Sequence, residues 1–527
     1  MGALTKKMRW LLKCGFVVFA WVSLFGVGST NSSNSSTTPL ERSGYRQLTR
    51  SHEISSFLAQ LSSRYASAEK ITIAVSALGK PVDALLVSSN MDRFKGAGKD
   101  SKKLTVMFLG SQHGTEPSGA EALLLAARNL VDGNLTDYLP YMNFIIIPNS
   151  NPDGRDLKRR TNSNGVNLST NFVVLIEPEC RGLIDAMHRW RPDVVVDIHE
   201  SAVLKRKSLA KQGYLTDFEA QFEAANNPNV DEGIRSFSFS RLLPDIIQRV
   251  NAQGLPSQRY IGEITSIHQP ITHGGLSLRN LRNMAGMLQS FSFLVENRLD
   301  PSTGSYPTPR NIRARVAKQY MCIASLLESW RSHRSEILAL SKAARTRWKN
   351  RREKKHVFLN TRFAVDPARP QISLPLRKID TGALTQYTFN YHGSIAAEQA
   401  LIPPSAYIIT SHQEFFKDYF NRHHISYSWK NRSERCVHVP YLIKRPTKPD
   451  DIKNGDMVYG TEAYQKNYII DPSDLFITLD QPLQNLIPLL FEPRSSSSLF
   501  HTSEYGHLAK GQNGFFMYKT CEILEGG

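Results

Sequence analysis

The stretch GSQHGTEPSGAEALLL, Gly110 to Leu125, sets His113 and Glu116 three residues apart as the chain leaves the apolar run Leu104 to Leu109. On a tight turn, side chains at i and i+3 can approach one ion from the same side, and Gly114 between them lets the backbone fold closely. A catalytic zinc site commonly takes three protein ligands, two histidines and a glutamate being one known set, and leaves a fourth position open. Because HxxE arises often by chance, a third ligand is expected at another strand end. The segment RPDVVVDIHES supplies one: His199 follows the apolar run 194–198 directly.

Between these two places runs IIIPNSNPDGRDLKRRTNSNGVNLSTNF. With its NPDG, an arginine shortly before N-x-x-G-V, the HxxE turn, the strand-final histidine and a late SFLVENR, the chain from about Tyr45 to Arg298 resembles the zinc carboxypeptidase family, the carboxypeptidase A-like metallopeptidases. The resemblance implies a sandwich around a mixed, mostly parallel eight-stranded sheet flanked by helices. It makes His113, Glu116 and His199 the ligands of one zinc ion and Glu296 the general base. Zinc would acidify a water and polarise the carbonyl, while the carboxylate takes the proton and returns it to the leaving amine. Arg160, in R-T-N, matches the arginine that meets the developing oxyanion, where a fixed positive charge is needed. Arg155 and Arg159 nearby read as surface cations or phosphate-like clamps.

The chain also departs from that pattern. Where the family has G-V-D-L-N-R-N-F, this sequence reads Gly165-Val166-Asn167-Leu168-Ser169-Thr170-Asn171-Phe172. The aspartate that would support a ligating histidine becomes Asn167, which still accepts a hydrogen bond but brings no charge. The Asn-Arg pair that would grip a terminal carboxylate becomes Ser169-Thr170, and a hydroxyl does not reproduce arginine's bidentate fork. Asn167, Ser169 and Thr170, with Arg279, are the substrate-binding candidates. No tyrosine stands in the expected place before Glu296; Tyr260 is the nearest. His273, Arg279 and Arg282 around THGGLSLRN read either as contacts for an acidic substrate or as solvated basic residues at a helix start.

These residues need elements to hold them. The runs 71–75, 104–109, 144–147 and 194–198 read as buried strands separated by helical stretches, the pattern of a mostly parallel α/β sheet whose ligands bind beyond the strand C-termini. Ile54, Phe57, Leu58 and Leu61 fall at helical spacing. At 527 residues the chain is too long for one ordinary core. The expected division is a signal peptide or N-terminal anchor at 1–30, a flexible linker at 31–44 and a catalytic domain at 45–335. A basic helical connector at 336–361 and a smaller α+β accessory domain at 362–527 complete it. The last resembles the trailing domain of some bacterial members and is assigned a structural or substrate-orienting role. Within it His423 and His424 read as a solvated pair.

The N-terminus carries Lys6, Lys7, Arg9 and Lys13 before the apolar stretch Gly15 to Val27 and the small residues Gly28-Ser29-Thr30. That is a signal-peptide pattern and implies a periplasmic or extracellular protein, with an uncleaved anchor as the alternative. Asn31, Asn34, Asn134, Asn167 and Asn431 each begin an N-x-S/T triplet. Cys14 lies in the signal, and Cys180, Cys322, Cys436 and Cys521 form no CxxC pair, so two disulfides and isolated thiols both remain open. The net charge of +18 and the run KAARTRWKNRREKKH suggest either a solvated helix or contact with an anionic surface; no nucleic-acid partner is expected.

The expectation is an exported zinc metallopeptidase cutting carboxypeptidase-type bonds, on a peptide or peptide-like substrate that is a candidate for linkage to an anionic cell envelope. An amidase or deacylase acting on a non-standard substrate is the nearer alternative. A catalytically weak zinc-containing surface-binding protein is the other, and retention of Glu296 beside all three ligands argues against it.

Overall fold

The computed structural model describes residues 36–96, 102–202, 207–299, 311–347, 356–429, 434–444, 452–453, 456–457, 460–463, 466–509 and 517–523. The expected signal at 1–30, Asn31, Asn34, Asn431 and residues 348–355 of the basic run lie outside them. No helix among the described residues is long and apolar enough to cross a membrane.

Nine strands belong to the N-terminal half: β1 Ala68–Val75, β2 Pro81–Val87, β3 Leu104–Gly110, β4 Met142–Ile147, β5 Val194–Ala202, β6 Tyr214–Thr216, β7 Ala220–Ala224, β8 Ser257–Arg259 and β9 Phe291–Leu299. Eight of them form one sheet in the order β1-β2-β4-β3-β5-β9-β7-β8. The pairs β4–β3, β3–β5, β5–β9 and β7–β8 run parallel, and the remaining three antiparallel. The sheet is therefore mixed, as expected. Its central strands β3 and β4 are buried at every residue, which their near-continuous apolar runs require of strands covered on both faces. The run 71–75 was expected to be buried too, but β1 is an edge strand and is largely half-exposed. An edge strand has a neighbour on one side only.

Helices cover the sheet: α1 Ser51–Arg64, α2 Ser118–Asp132, α3 Pro152–Leu157, α4 Pro178–Trp190 and α5 Ile312–Ser332. In α1 the residues Ile54, Phe57, Leu58 and Leu61 are buried, as their spacing requires. Packed structure starts earlier than the linker expectation allowed. Thr38 caps a short helix, Leu40 joins the core and Glu41 pairs with Arg128, so 36–44 is not a free tether.

The C-terminal half folds into the same core. Helix α6 Arg334–Arg347 carries the start of the basic run, and two of its cations are engaged: Arg345 with Asp193 and Arg347 with Asp231. Strand β10 Val357–Ala364 pairs with Ser394–Leu401, while Gln371–Lys378 pairs with β6. One contiguous apolar cluster runs from Val106, Phe144 and Phe293 to Tyr407, Phe416, Leu490 and Phe500. Helix α7 Gln413–His423 is sewn to the segment after Phe172: Tyr419 Oη donates to Val173 O at 2.9 Å, and Arg422 Nη1 donates to Leu175 O at 3.1 Å.

This packing overturns the solvated His423–His424 pair. His423 is 2% exposed and donates from Nε2 to Val173 O at 3.0 Å, and burial pushes its pKa down to about 3. His424 stacks on His188 and faces Asp185 at 2.7 Å. Cys180 and Cys322 are buried free thiols, so these two form no disulfide.

Candidate metal centre

The metal turn grows out of β3. After Gly110 the chain turns through Ser111, at φ 53°, and a tight bend follows in which Glu116 N donates to His113 O at 3.0 Å. Gly114 is required because the bend lies on the backbone of α3: a Cβ there would stand 2.0 Å from the Gly154 carbonyl carbon. The NPDG motif builds that contact. Asn151 caps α3 by accepting from Gly154 N at 2.8 Å, and its Nδ2 donates to Gln112 O at 2.9 Å, stitching the end of β4 to the end of β3. Asp153 accepts from Ser76 Oγ, Leu78 N and Ser163 Oγ, anchoring the loop that follows.

His199 arrives on β5, in register with Glu296 on the adjacent β9. The position after it is fixed as well. Glu200 accepts from Ser118 N at the start of α2 and receives both Arg315 Nε and Nη2, at 2.7 and 2.8 Å. This buried bidentate pair holds the end of β5, the start of α2 and α5 in one geometry.

His113, Glu116 and His199 therefore converge, all buried, with one potential ligand atom each inside a span of 4.8 Å. His113 Nδ1 lies 2.9 Å from Glu116 Oε1 and 3.1 Å from His199 Nδ1, and His199 Nδ1 lies 2.9 Å from Glu116 Oε2. The other ring nitrogens are directed to oxygens. His113 Nε2 stands 3.0 Å from Asn167 Oδ1 and 2.9 Å from Ser169 Oγ, and His199 Nε2 stands 3.0 Å from Asp197 Oδ1. A proton on Nε2 of His113 would meet the oxygens beside it, the tautomer that frees its Nδ1 lone pair for a cation, and the Asp197 carboxylate lies beside His199 Nε2 as its charge partner. The donor set, two imidazoles and a carboxylate, fits zinc.

The charges of the cluster shift one another. Burial alone would raise the Glu116 carboxyl, but His113 and His199 outweigh it and hold it well below the usual range. Burial would lower His199, but Asp197 and Glu116 outweigh that and raise it well above the ordinary value. At His113 burial prevails over Glu116 and the shift is downward.

A cavity of about 370 Å³ opens beside the cluster, lined by Glu116, Arg160, Gln221, Tyr260, Glu263 and Glu296 among others. Arg160 Nη1 donates to Glu116 Oε1 at 2.8 Å while its side chain stays 56% exposed. Glu296 is half-buried, and its charge adds to burial in raising the Tyr260 phenol pKa. The strand residues Tyr214 to Thr216 form another wall, so β6, which pairs with Gln371–Lys378, reaches the cavity.

Other candidates sit elsewhere. Asn167 Oδ1 and Ser169 Oγ face His113 rather than open space. Thr170 Oγ1 donates back to Asn167 O, and Arg279 lies outside the cavity wall, with its carbonyl accepting from Phe172 N. Arg155 is no surface cation: it is buried against Glu121, Thr49 O and Ser111. His273 and Arg282 are not solvated. His273 bonds Tyr260 O and Tyr391 Oη, with its pKa pushed by burial down to about 4, and Arg282 donates to Asn226 Oδ1 and Gly275 O. Sequence reading missed Asp197. Its signal was D-x-H on a strand, since residues two apart share a face.

Residues 54–206 match the model of the zinc carboxypeptidase family, which spans all three clustered residues and stops short of Glu296. "Carboxypeptidase 2" of Trichophyton rubrum is 28% identical over 202 residues, covering 38% of this chain and 37% of that protein. "Carboxypeptidase SOL1" of Arabidopsis thaliana is 29% identical over 112 residues, 18% of this chain and 23% of that protein. The chain thus matches less than two fifths of the length of these curated relatives. Among solved structures, a metallo-carboxypeptidase from Burkholderia cenocepacia is 17% identical with a TM-score of 0.41, covering 55% of this chain and 71% of that one. Carboxypeptidase A from Helicoverpa armigera is 17% identical with a TM-score of 0.42, over 64% and 82%.

Proposed function

We propose, on the premise that residues 54–206 belong to the zinc carboxypeptidase family, that the protein is a zinc-dependent hydrolase of peptide or peptide-like bonds. The observation that carries this reading is the convergence of Glu116, Arg160 and Glu296 on one cavity beside the His113–Glu116–His199 cluster. His113, Glu116 and His199 would hold one zinc ion, which when bound supplies a Lewis acid and lowers the pKa of water. Glu296 takes a proton from the attacking water and returns it to the leaving nitrogen, a role within reach of a carboxylate facing the cavity. Arg160 offers its exposed guanidinium to the oxygen on which charge develops. Asn167, Ser169 and Asp197 orient the two histidines from behind.

Strict grip on a free C-terminal carboxylate is not part of this proposal. Ser169 is turned to His113 and Thr170 to the backbone, and among the described residues Arg160 is the cation that lines the cavity. The substrate class therefore includes blocked peptides and amides, and an exported protein with envelope-linked substrates remains the reading of the N-terminal signal pattern and the positive charge.

The test is a panel of C-terminally free peptides, C-terminally blocked peptides and murein fragments, offered to zinc-loaded protein and to Glu296→Gln. Hydrolysis of at least one class by the wild type alone supports the proposal. Identical background from both proteins on every substrate points instead to a zinc-holding binding protein.

A further inference from the structure

Behind the metal turn lies a second cavity, of about 520 Å³, with which the catalytic cavity shares no lining residue. The two are neighbours through alternate residues of the same loops. Thr115 and Glu116 face the catalytic cavity while Gly114 and Pro117 face this one, and Arg160 faces the first while Lys158 faces the second. Lys158 ends α3 in the left-handed conformation, at φ 55°, which turns the chain between the two cavities.

The wall of the second cavity is basic. Its one carboxylate, Asp156, is committed: it accepts from Ser51 N at 3.0 Å and pairs with Lys80 at 2.7 Å. Arg155 is spent on Glu121. Arg46, Arg50, His52 and Lys158 remain, all exposed, and no described carboxylate pairs with any of them. A concave wall with two guanidinium groups and an ammonium, whose one carboxylate is already paired with Lys80, focuses a positive potential and favours a multiply charged anion. Two guanidinium groups and an ammonium match a tetrahedral oxyanion, because the fork of arginine meets two oxygens at once.

We propose that this cavity is a phosphate-binding site, taking the phosphate group of a phosphoester or of a phospholipid headgroup. The site is separate from the metal and does not depend on hydrolytic activity.

Calorimetric titration of the full chain with pyrophosphate tests it. One pyrophosphate per chain is expected, and the same binding in His113→Ala, which separates this site from phosphate bound at a metal. Arg50→Ser/Lys158→Ser is expected to weaken binding by about tenfold or more, while Lys342→Ser/Lys211→Ser, which removes equal charge elsewhere, stays within about twofold. Far-ultraviolet circular dichroism and thermal melting of both double variants keep misfolding from passing as loss of a site. Displacement of pyrophosphate by dioctanoyl phosphatidic acid assigns the headgroup as source, and failure of displacement assigns a soluble phosphoester; either outcome supports the site. Binding that is not saturable, that disappears in His113→Ala, or that falls equally in both double variants overturns it.

Discussion

At the scale of single residues, His113 is held from behind by two neutral oxygens, Asn167 Oδ1 and Ser169 Oγ, where the related pattern has one carboxylate. A charge there makes the imidazole a stronger ligand, so Asn167→Asp should tighten zinc by about tenfold and Ser169→Ala should loosen it, read by competition with a chelating dye. Unchanged affinity in both would remove these residues from the metal's support. His199 already has such a charge in Asp197, so Asp197→Asn should cost about 10–100-fold in the same assay. Glu296→Gln should lower turnover by about 10²–10⁴-fold and leave the zinc content at one per chain. The three clustered residues were legible because His113 and Glu116 lie on the turn that follows the apolar run 104–109 and His199 follows the run 194–198. His273 and His423 were not, since their partners, Tyr391 and Val173, lie more than a hundred residues away and only folding buries them.

At the scale of elements, the cluster depends on how strand ends are tied together. The pairing of β5 with β9 sets Glu296 opposite His199. The apolar runs announced β1, β3, β4 and β5, half of the sheet's eight strands, but no local pattern announces a neighbour across a parallel pair, whose register is fixed by the helices that return the chain. Likewise β2 escaped notice and β1 looked more buried than it is, because edge position belongs to the assembled sheet. NPDG was visible as a motif, and its work of tying α3 to the end of β3 became apparent only in the fold. The Glu200–Arg315 pair joins three elements and is almost wholly buried, so Arg315→Met should destabilise the protein by about 3–5 kcal/mol in chemical denaturation by leaving a buried carboxylate alone. A loss near zero would mean that water reaches Glu200.

At the scale of the whole molecule, the C-terminal half completes the core. Helix α7 holds the segment 173–175, which directly follows the loop that supports His113, and Gln371–Lys378 pairs with β6, whose residues line the cavity beside the cluster. A chain ending at residue 356 should therefore lack a cooperative thermal transition. Composition and length suggested two units, and nothing in them revealed a shared interior. The buried imidazoles give that interior a pH dependence. His423 and His273 have pKa values pushed by burial from 6.5 down to about 3 and about 4, so the unfolded chain binds protons first. The stability tied to their neutral form is fully present above pH 6.5 and is lost as pH falls toward 4 and below. Melting temperature should drop across that window, and His423→Gln should flatten the drop. Whether His113, Glu116, His199 and Glu296 form one hydrolytic centre is decided by turnover measured beside zinc content in wild type and Glu296→Gln. One zinc is expected in both proteins, with turnover of a peptide or amide only in the wild type; equal turnover in both, or no zinc in the wild type, would rule such a centre out.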